Sequence, residues 1–198
     1  MEKLIIFMAV LVSVVVFSGG EISAENLNLR YEKKAVITSP TKARDSRILI
    51  YFRLPALLSR KDVRIDYAKL VFEADVQKHP LGLVNISPVT TSWKDAAMIN
   101  WKGLWEKDGG DFSSDLIHAA TVKESKSKKQ CRLDITDIVL SWLDGVLNNE
   151  GLIIMPSKSM LEESPVECNI DSKDIKLVIN YTKDDIERRL KNLPEEEK

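Results

Sequence analysis

The residue types that build most metal and nucleophile centres are scarce in this sequence. Its 198 residues include only two histidines and two cysteines. His79 and His118 are isolated, and neither has a partner at ligand spacing, so no zinc site is predicted. No Gly-x-Ser-x-Gly turn, His-Glu-x-x-His pair, phosphate-cradling glycine loop or Cys-x-x-Cys pair occurs. An active site of those kinds is therefore not predicted.

The chain also lacks an excess of either charge sign. Lys and Arg number 29 against 30 Asp and Glu, and 44% of the residues are hydrophobic. A dedicated nucleic-acid binder needs a marked basic excess to contact phosphates, so that class is disfavoured. The composition is that of one ordinary globular domain.

The N-terminal segment has the layout of a signal peptide. Residues 4–17 contain one polar residue, Ser13, and follow a short region that carries Lys3. As a helix they would span about 21 Å, less than the roughly 30 Å hydrocarbon core of a bilayer, so we expect no stable membrane span. We expect cleavage after Ala24, with residues 18–20 as an earlier alternative, and a secreted or cell-surface protein. The mature chain then has 28 charges of each sign.

Export would place Cys131 and Cys168 in a compartment where disulfides persist. A bridge between them would close a loop of about 37 residues and stabilise the fold by roughly 3 to 4 kcal/mol. The alternative is two separate buried thiols. The sequence leaves both open.

The mature chain reads as short strands with alternating apolar and polar residues, which is typical of a sandwich or barrel. In residues 65–76, Ala68, Leu70 and Phe72 share the predicted inner face. Residues 47–53 alternate in the same way and predict a half-buried strand. The predicted strands are 35–39, 47–53, 65–76, 83–90, 98–101, 116–122, 130–135, 151–155, 166–170 and 175–182.

One segment has helical spacing instead. Ile138, Val139 and Trp142 fall on one face of a short helix predicted at residues 137–144. Thr136 is the expected N-cap and Gly145 the expected stop. We interpret Trp142 as a core residue. The predicted organisation is a signal peptide at 1–24, one β-sandwich domain at 25–182 and a charged tail at 183–198.

Two features are candidates for ligand binding. Four lysines, Lys123, Lys126, Lys128 and Lys129, lie in a seven-residue segment between two predicted strands, where they would form either a positive loop or an ordinary solvated one. Indole rings stack on sugars as well as filling cores. Trp93 and Trp101 lie in strand-like segments and are expected in the core, whereas Trp105 is the better candidate for an exposed ring.

Residues 108–111, Asp-Gly-Gly-Asp, carry oxygens that could bind structural calcium. The same four residues make a good turn, and we favour the turn. No other cofactor is expected.

Several phrases in fixed order suggest a family. They include an Arg-led strand at 47–55, a Thr-Thr-Ser-Trp phrase at 90–93, an Asp-Ile-Thr helix start at 134–136, an Asn-Glu-Gly-Leu strand start at 149–152 and an aliphatic strand ending in Tyr181. This order resembles the DNRLRE domain, also described as a disaggregatase-related or family 96 carbohydrate-binding-module domain. The resemblance covers residues 35–182.

The resemblance implies an all-β, jelly-roll-like antiparallel sandwich that is exported and binds acidic polysaccharide. We transfer no binding residue from the family to this chain. The expected function is a secreted non-catalytic module that binds carbohydrate. The alternatives are a structural surface or matrix protein that makes protein contacts and, less favoured, a small polysaccharide-acting enzyme.

Overall fold

The structure is a computed structural model that describes residues 12–13, 24–41, 46–75, 82–122, 130–156 and 169–183. Ten strands form two five-stranded antiparallel sheets. Sheet I contains, in spatial order, β1 (Val12–Ser13), β2 (Ala24–Arg30), β10 (Asn169–Lys183), β5 (Val63–Asp75) and β8 (Gln130–Asp134). Sheet II contains β3 (Lys33–Thr38), β4 (Ser46–Tyr51), β9 (Leu152–Pro156), β6 (Gly82–Pro88) and β7 (His118–Val122).

The strand order is that of a jelly roll. The connections from β4 to β5, β5 to β6, β7 to β8 and β9 to β10 each run from one sheet to the other. This gives the four-plus-four arrangement β2-β10-β5-β8 over β4-β9-β6-β7, with β1 and β3 as additional edge strands. The prediction of an all-β, jelly-roll-like antiparallel sandwich with one short helix is confirmed.

The main core lies between the sheets and follows the predicted alternation. Ala68, Leu70 and Phe72 of β5 are fully buried, as predicted. Each other central strand contributes alternate apolar residues to the same cluster, because successive side chains of a strand point to opposite faces. These residues are Leu27, Leu29, Ile48, Ile50, Val84, Ile86, Leu152, Ile154, Leu177 and Ile179.

The helix α1 (Thr136–Leu143) closes one part of this core with Ile138, Val139 and Trp142. Trp142 is 7% exposed, which confirms it as a core residue. Its indole Nε1 finds no acceptor among the residues that the structure describes. Gly145 has a φ of +71°, so the predicted stop is confirmed.

The predicted N-cap is wrong by one position. Thr136 is the first helical residue, and the cap position is Ile135, whose side chain has no oxygen to offer. The carboxylate of Asp134 instead accepts hydrogen bonds from the Thr136 amide at 3.0 Å and the Thr136 hydroxyl at 2.6 Å. The Thr136 hydroxyl in turn accepts from the Ala68 amide at 2.8 Å, which joins the helix start to β5.

Two other element predictions need correction. Residues 98–101 form no strand, because they belong to an irregular segment that side-chain contacts stabilise in place of strand-to-strand hydrogen bonds.

β2 was not predicted as a strand, since its asparagines interrupt the apolar pattern. It is held to β10 through Glu25, whose carboxylate accepts from the Tyr181 hydroxyl at 2.5 Å and the Lys183 ammonium at 2.7 Å.

Some sequence predictions fall outside the described residues. Cys168, the lysine segment 123–129 and the tail from residue 184 onward are among them. Cys131 lies on β8, but Cys168 is outside the described residues. The disulfide between them therefore remains a prediction. No helix in the described part of the chain is long and apolar enough to cross a membrane.

Candidate functional site

The outer face of sheet II is covered by the segment between β6 and β7. Val89, Trp93 and Trp105 of this segment pack on the outward residues of β3, β4 and β9 and form a second core, completed by Ile37, Leu49, Ile153 and Met155. Leu49 is therefore fully buried. The strand predicted at residues 47–53 is present as β4, but its second face is not open to solvent at Leu49, because the covering segment packs there.

Contacts between cations and aromatic rings join the covering segment to sheet II. The Arg47 guanidinium lies 4.5 Å from the ring centre of Trp101 and donates to the Gly109 carbonyl at 2.8 Å. Lys94 of the segment lies 4.5 Å from the ring of Tyr51 on β4. Cations stacked on aromatic faces in this way stabilise the packing of a segment without a regular ladder.

The structure separates the three tryptophans by role. Trp93 is 1% exposed, and its Nε1 donates to the Glu150 carbonyl at 2.6 Å, so its predicted core placement is confirmed. Trp101 is half-buried beneath Arg47 and lies outside any strand. Trp105 is 8% exposed and donates to the Asn100 carbonyl at 2.8 Å. The expectation of an exposed Trp105 ring is wrong, because the ring is part of the second core.

Residues 108–111 form a turn, as we favoured. Gly109 and Gly110 adopt φ values of +90° and +107°, which glycine adopts without steric strain. Both carboxylate oxygens of Asp111 accept hydrogen bonds from within the segment, from the Thr91 hydroxyl and from the amides of Glu106 and Lys107. No group of three or more potential metal ligands occurs among the described residues.

Asp111 is a pH-dependent support of the covering segment. Burial raises the pKa of Asp111, but the hydrogen bonds from Glu106, Thr91 and Lys107 outweigh it and hold that pKa below its usual range. A carboxyl with a depressed pKa stabilises the fold above its unfolded-state pKa and loses this contribution as the pH falls through the folded-state pKa.

We expect Asp111→Ala to lower the free energy of unfolding by about 1 to 3 kcal/mol at neutral pH, because it leaves buried donors without an acceptor. The difference from the parent should begin to shrink below about pH 4, where the carboxyl of the unfolded chain takes up a proton, and should be lost as the pH falls through the lower folded-state pKa. Denaturant melts across this pH range measure it. Asp108→Ala, an exposed change in the same turn, is the control and should alter stability by less than about 0.5 kcal/mol. Equal melts for the two variants would contradict this role.

The outer face of sheet I, in contrast, has no covering segment among the described residues. Its side chains alternate with the core residues of β2, β10, β5 and β8 and therefore point away from the core. They include four cations, three amides and one aromatic ring, which we call the cationic face: Arg30, Lys69, Lys176, Arg132, Asn26, Asn28, Asn180 and Tyr67. All eight are half-buried or exposed.

Strand register arranges the cationic face in rows across the sheet. Lys176 pairs with both Arg30 and Val71, and Val71 pairs with Arg132. Because neighbouring strands lie about 4.8 Å apart, three cations follow one line of about 14 Å across four strands. Arg30 and Lys176 form no ion pair with any residue that the structure describes.

The next two rows add polar and aromatic groups. The second row contains Asn28, Val178, Lys69 and Asp134. The third contains Asn26, Asn180 and Tyr67. The Asn26 side-chain oxygen accepts from Asn180 at 3.0 Å and from the Tyr67 hydroxyl at 3.4 Å, and the Lys69 ammonium lies 4.2 Å from the Tyr67 ring.

Asp134 is the acidic residue of these rows. A hydrogen bond from the Thr136 hydroxyl, helped by the Thr136 amide and the charge of Lys69, holds the pKa of Asp134 below its usual range despite some burial. Its carboxylate is engaged with the helix start, as described above. The first row therefore places the charges of Arg30 and Lys176, unpaired within the described chain, beside a polar row.

The sequence predicted a different set of lysines for the binding site. Lys123, Lys126, Lys128 and Lys129 lie outside the described residues, in the connection from β7 to β8. The alternation predicted for residues 65–76 implies that Lys69 faces outward. It could not show that this face stays open while that of sheet II is covered.

A scan against protein-family models matches no family, and no curated protein is significantly similar in sequence.

Proposed function

We propose that the chain is a secreted, non-catalytic module that binds an acidic polysaccharide on the cationic face of sheet I. The observation that supports this proposal is the row of Arg30, Lys176 and Arg132 across an open sheet. Guanidinium and ammonium groups donate charge-assisted hydrogen bonds to carboxylate or sulfate oxygens, and these bonds are about twice as strong as neutral ones.

The neighbouring groups suit a sugar ligand. Asparagine side chains both donate and accept hydrogen bonds and so match hydroxyl groups. Tyr67 adds an aromatic ring with a polar end, of the kind enriched at binding surfaces. An open sheet face presents these groups along a line, as an extended polymer requires.

The titratable groups support a non-catalytic role. The carboxyls with a resolved pKa shift in the described chain, Glu25, Asp62, Asp111 and Asp134, are all shifted downward by hydrogen bonds from groups of the fold. A carboxyl that acts as a general acid near neutral pH needs the opposite shift. These downward shifts favour a binding role over bond cleavage.

The proposed export is compatible with the packing. The buried core residues of the described chain all lie between Leu27 and Tyr181, so removal of residues 1–24 takes none of them away. The resemblance to the DNRLRE domain supports the same proposal of an exported carbohydrate-binding sandwich.

Affinity electrophoresis of residues 25–198 in gels that contain a uronic-acid polymer tests the proposal. We expect retardation that added salt relieves, because screening weakens exposed charge contacts. The double variant Arg30→Ala/Lys176→Ala should bind about tenfold more weakly, since it removes two charge-assisted contacts. The control Lys102→Ala/Lys107→Ala makes the same charge change on the covering segment of sheet II and should bind like the parent.

Three results would contradict this assignment. Equal weakening by both double variants would indicate general charge attraction rather than the cationic face. A selective loss in a variant with alanine at Lys123, Lys126, Lys128 and Lys129 would move the site to that connection. No retardation of the parent by any polysaccharide would favour the alternative, a structural surface or matrix protein.

A further inference from the structure

The outer edge of β2 is only partly covered. The two-residue strand β1 pairs with it through Val12 opposite Leu27 and Ser13 opposite Asn26. The structure describes no strand beside residues 28–30, although β2 pairs with β10 over all seven of its residues on the other side. The edge therefore already takes an antiparallel partner in the plane of the sheet.

Cleavage after Ala24 would remove β1 and open this edge in the mature chain. Native edge strands are usually protected by proline, bulges or charged side chains. Residues 25–29 contain no proline, and their register with β10 has no bulge. Their outward side chains, Asn26 and Asn28, carry no charge. The charged side chains of β2, the half-buried Glu25 and the exposed Arg30, lie near its two ends, so the middle of this edge has little of the usual protection against pairing.

We propose that the mature chain forms a symmetric dimer in which β2 of one copy pairs antiparallel with β2 of a second copy. Side chains of directly opposite residues must lie on the same face of a sheet. A two-fold axis at Leu27 places Leu27 of one copy opposite Leu27 of the other and so satisfies this rule. Asn26 then lies opposite Asn28 of the second copy, and Glu25 lies opposite Leu29. No side chains of like charge face each other, which would otherwise oppose pairing.

The symmetry has a consequence for the surface. A two-fold axis perpendicular to the sheet leaves both copies with their cores on the same side, so the two cationic faces form one continuous face. A polymer that contacts both copies would gain avidity from the second contact. The dimer itself requires no ligand, so its test is independent of the proposed binding.

The oligomeric state of residues 25–198, measured by sedimentation and light scattering without ligand, tests the proposal. We expect a concentration-dependent dimer. Asn28 is exposed, and its side chain has no hydrogen-bond partner among the described residues, so substitutions there remove no such contact from within one copy. Asn28→Lys and Asn28→Asp each place like charges close to the two-fold axis and should weaken dimerisation about tenfold or more.

An equimolar mixture of the two variants provides the matched control. Opposite charges then meet across the axis, and the mixture should recover the dimer that each variant alone has lost. A parent that stays monomeric at every concentration would overturn the proposal. A parent dimer that both variants leave intact would overturn it as well, because that dimer would use another surface.

Discussion

Gly151→Ala is expected to lower the free energy of unfolding by about 3 to 5 kcal/mol, or to prevent folding altogether. A β-carbon at this position would overlap the backbone carbonyl oxygen of Ile50 and lie 3.0 Å from the Ile50 carbonyl carbon. The φ of +87° adds strain for any residue with a side chain. The overlap is with backbone of a central strand, which cannot move without breaking the ladder between β4 and β9.

The surrounding contacts make this position still less tolerant. The Gly151 carbonyl accepts from the Val89 amide at 2.9 Å, and its own amide donates to the Asn149 side chain at 3.1 Å. Asn149 also donates to the Phe52 carbonyl at 2.9 Å. A shift of Gly151 would therefore disturb the start of the covering segment and the end of β4 together.

Gly145→Ala is the matched control for Gly151→Ala. Gly145 also has a positive φ, +71°, but a β-carbon there would meet no atom within 4 Å. Only the conformational strain remains, and we expect a loss of about 1 to 2 kcal/mol. Denaturant unfolding of both variants separates the two effects. Similar losses in the two variants would show that the close approach to Ile50 does not control stability.

Truncation of either fully packed tryptophan should be nearly as severe. Trp142→Ala and Trp93→Ala are each expected to lower the free energy of unfolding by about 3 to 5 kcal/mol, because each leaves a cavity in a different core. Thermal or denaturant melts measure the loss. A Trp142→Ala protein that melts like the parent would refute the placement of that ring in the core.

Phenylalanine variants distinguish the two rings by their polar atoms. Trp93→Phe leaves the Glu150 carbonyl without its donor, an additional loss of about 1 to 3 kcal/mol. Trp142→Phe removes an Nε1 that has no acceptor among the described residues, so only the smaller ring volume matters. Trp93→Phe should therefore be the more destabilising of the pair. The reverse order would contradict the role of the bond to Glu150.

The main core could be predicted from the sequence because its signal is local. Alternation along β5 identified Ala68, Leu70 and Phe72, and spacing along α1 identified Trp142. The strand β2 escaped prediction because Asn26 and Asn28 weaken its pattern, although Leu27 and Leu29 are buried. Its place in sheet I depends on contacts with β10, which lies more than a hundred residues later in the chain.

The sequence by itself determined the strand character of the chain, the inner face of its central strands and the place of its one helix, since each depends on neighbours two to four residues apart. Only the tertiary structure decided which outer face stays open. The segment between β6 and β7 buries Trp105 and Leu49 on sheet II, while strand pairing aligns Arg30, Lys176 and Arg132 on sheet I. Both outcomes depend on contacts between residues distant in sequence, which no local pattern encodes.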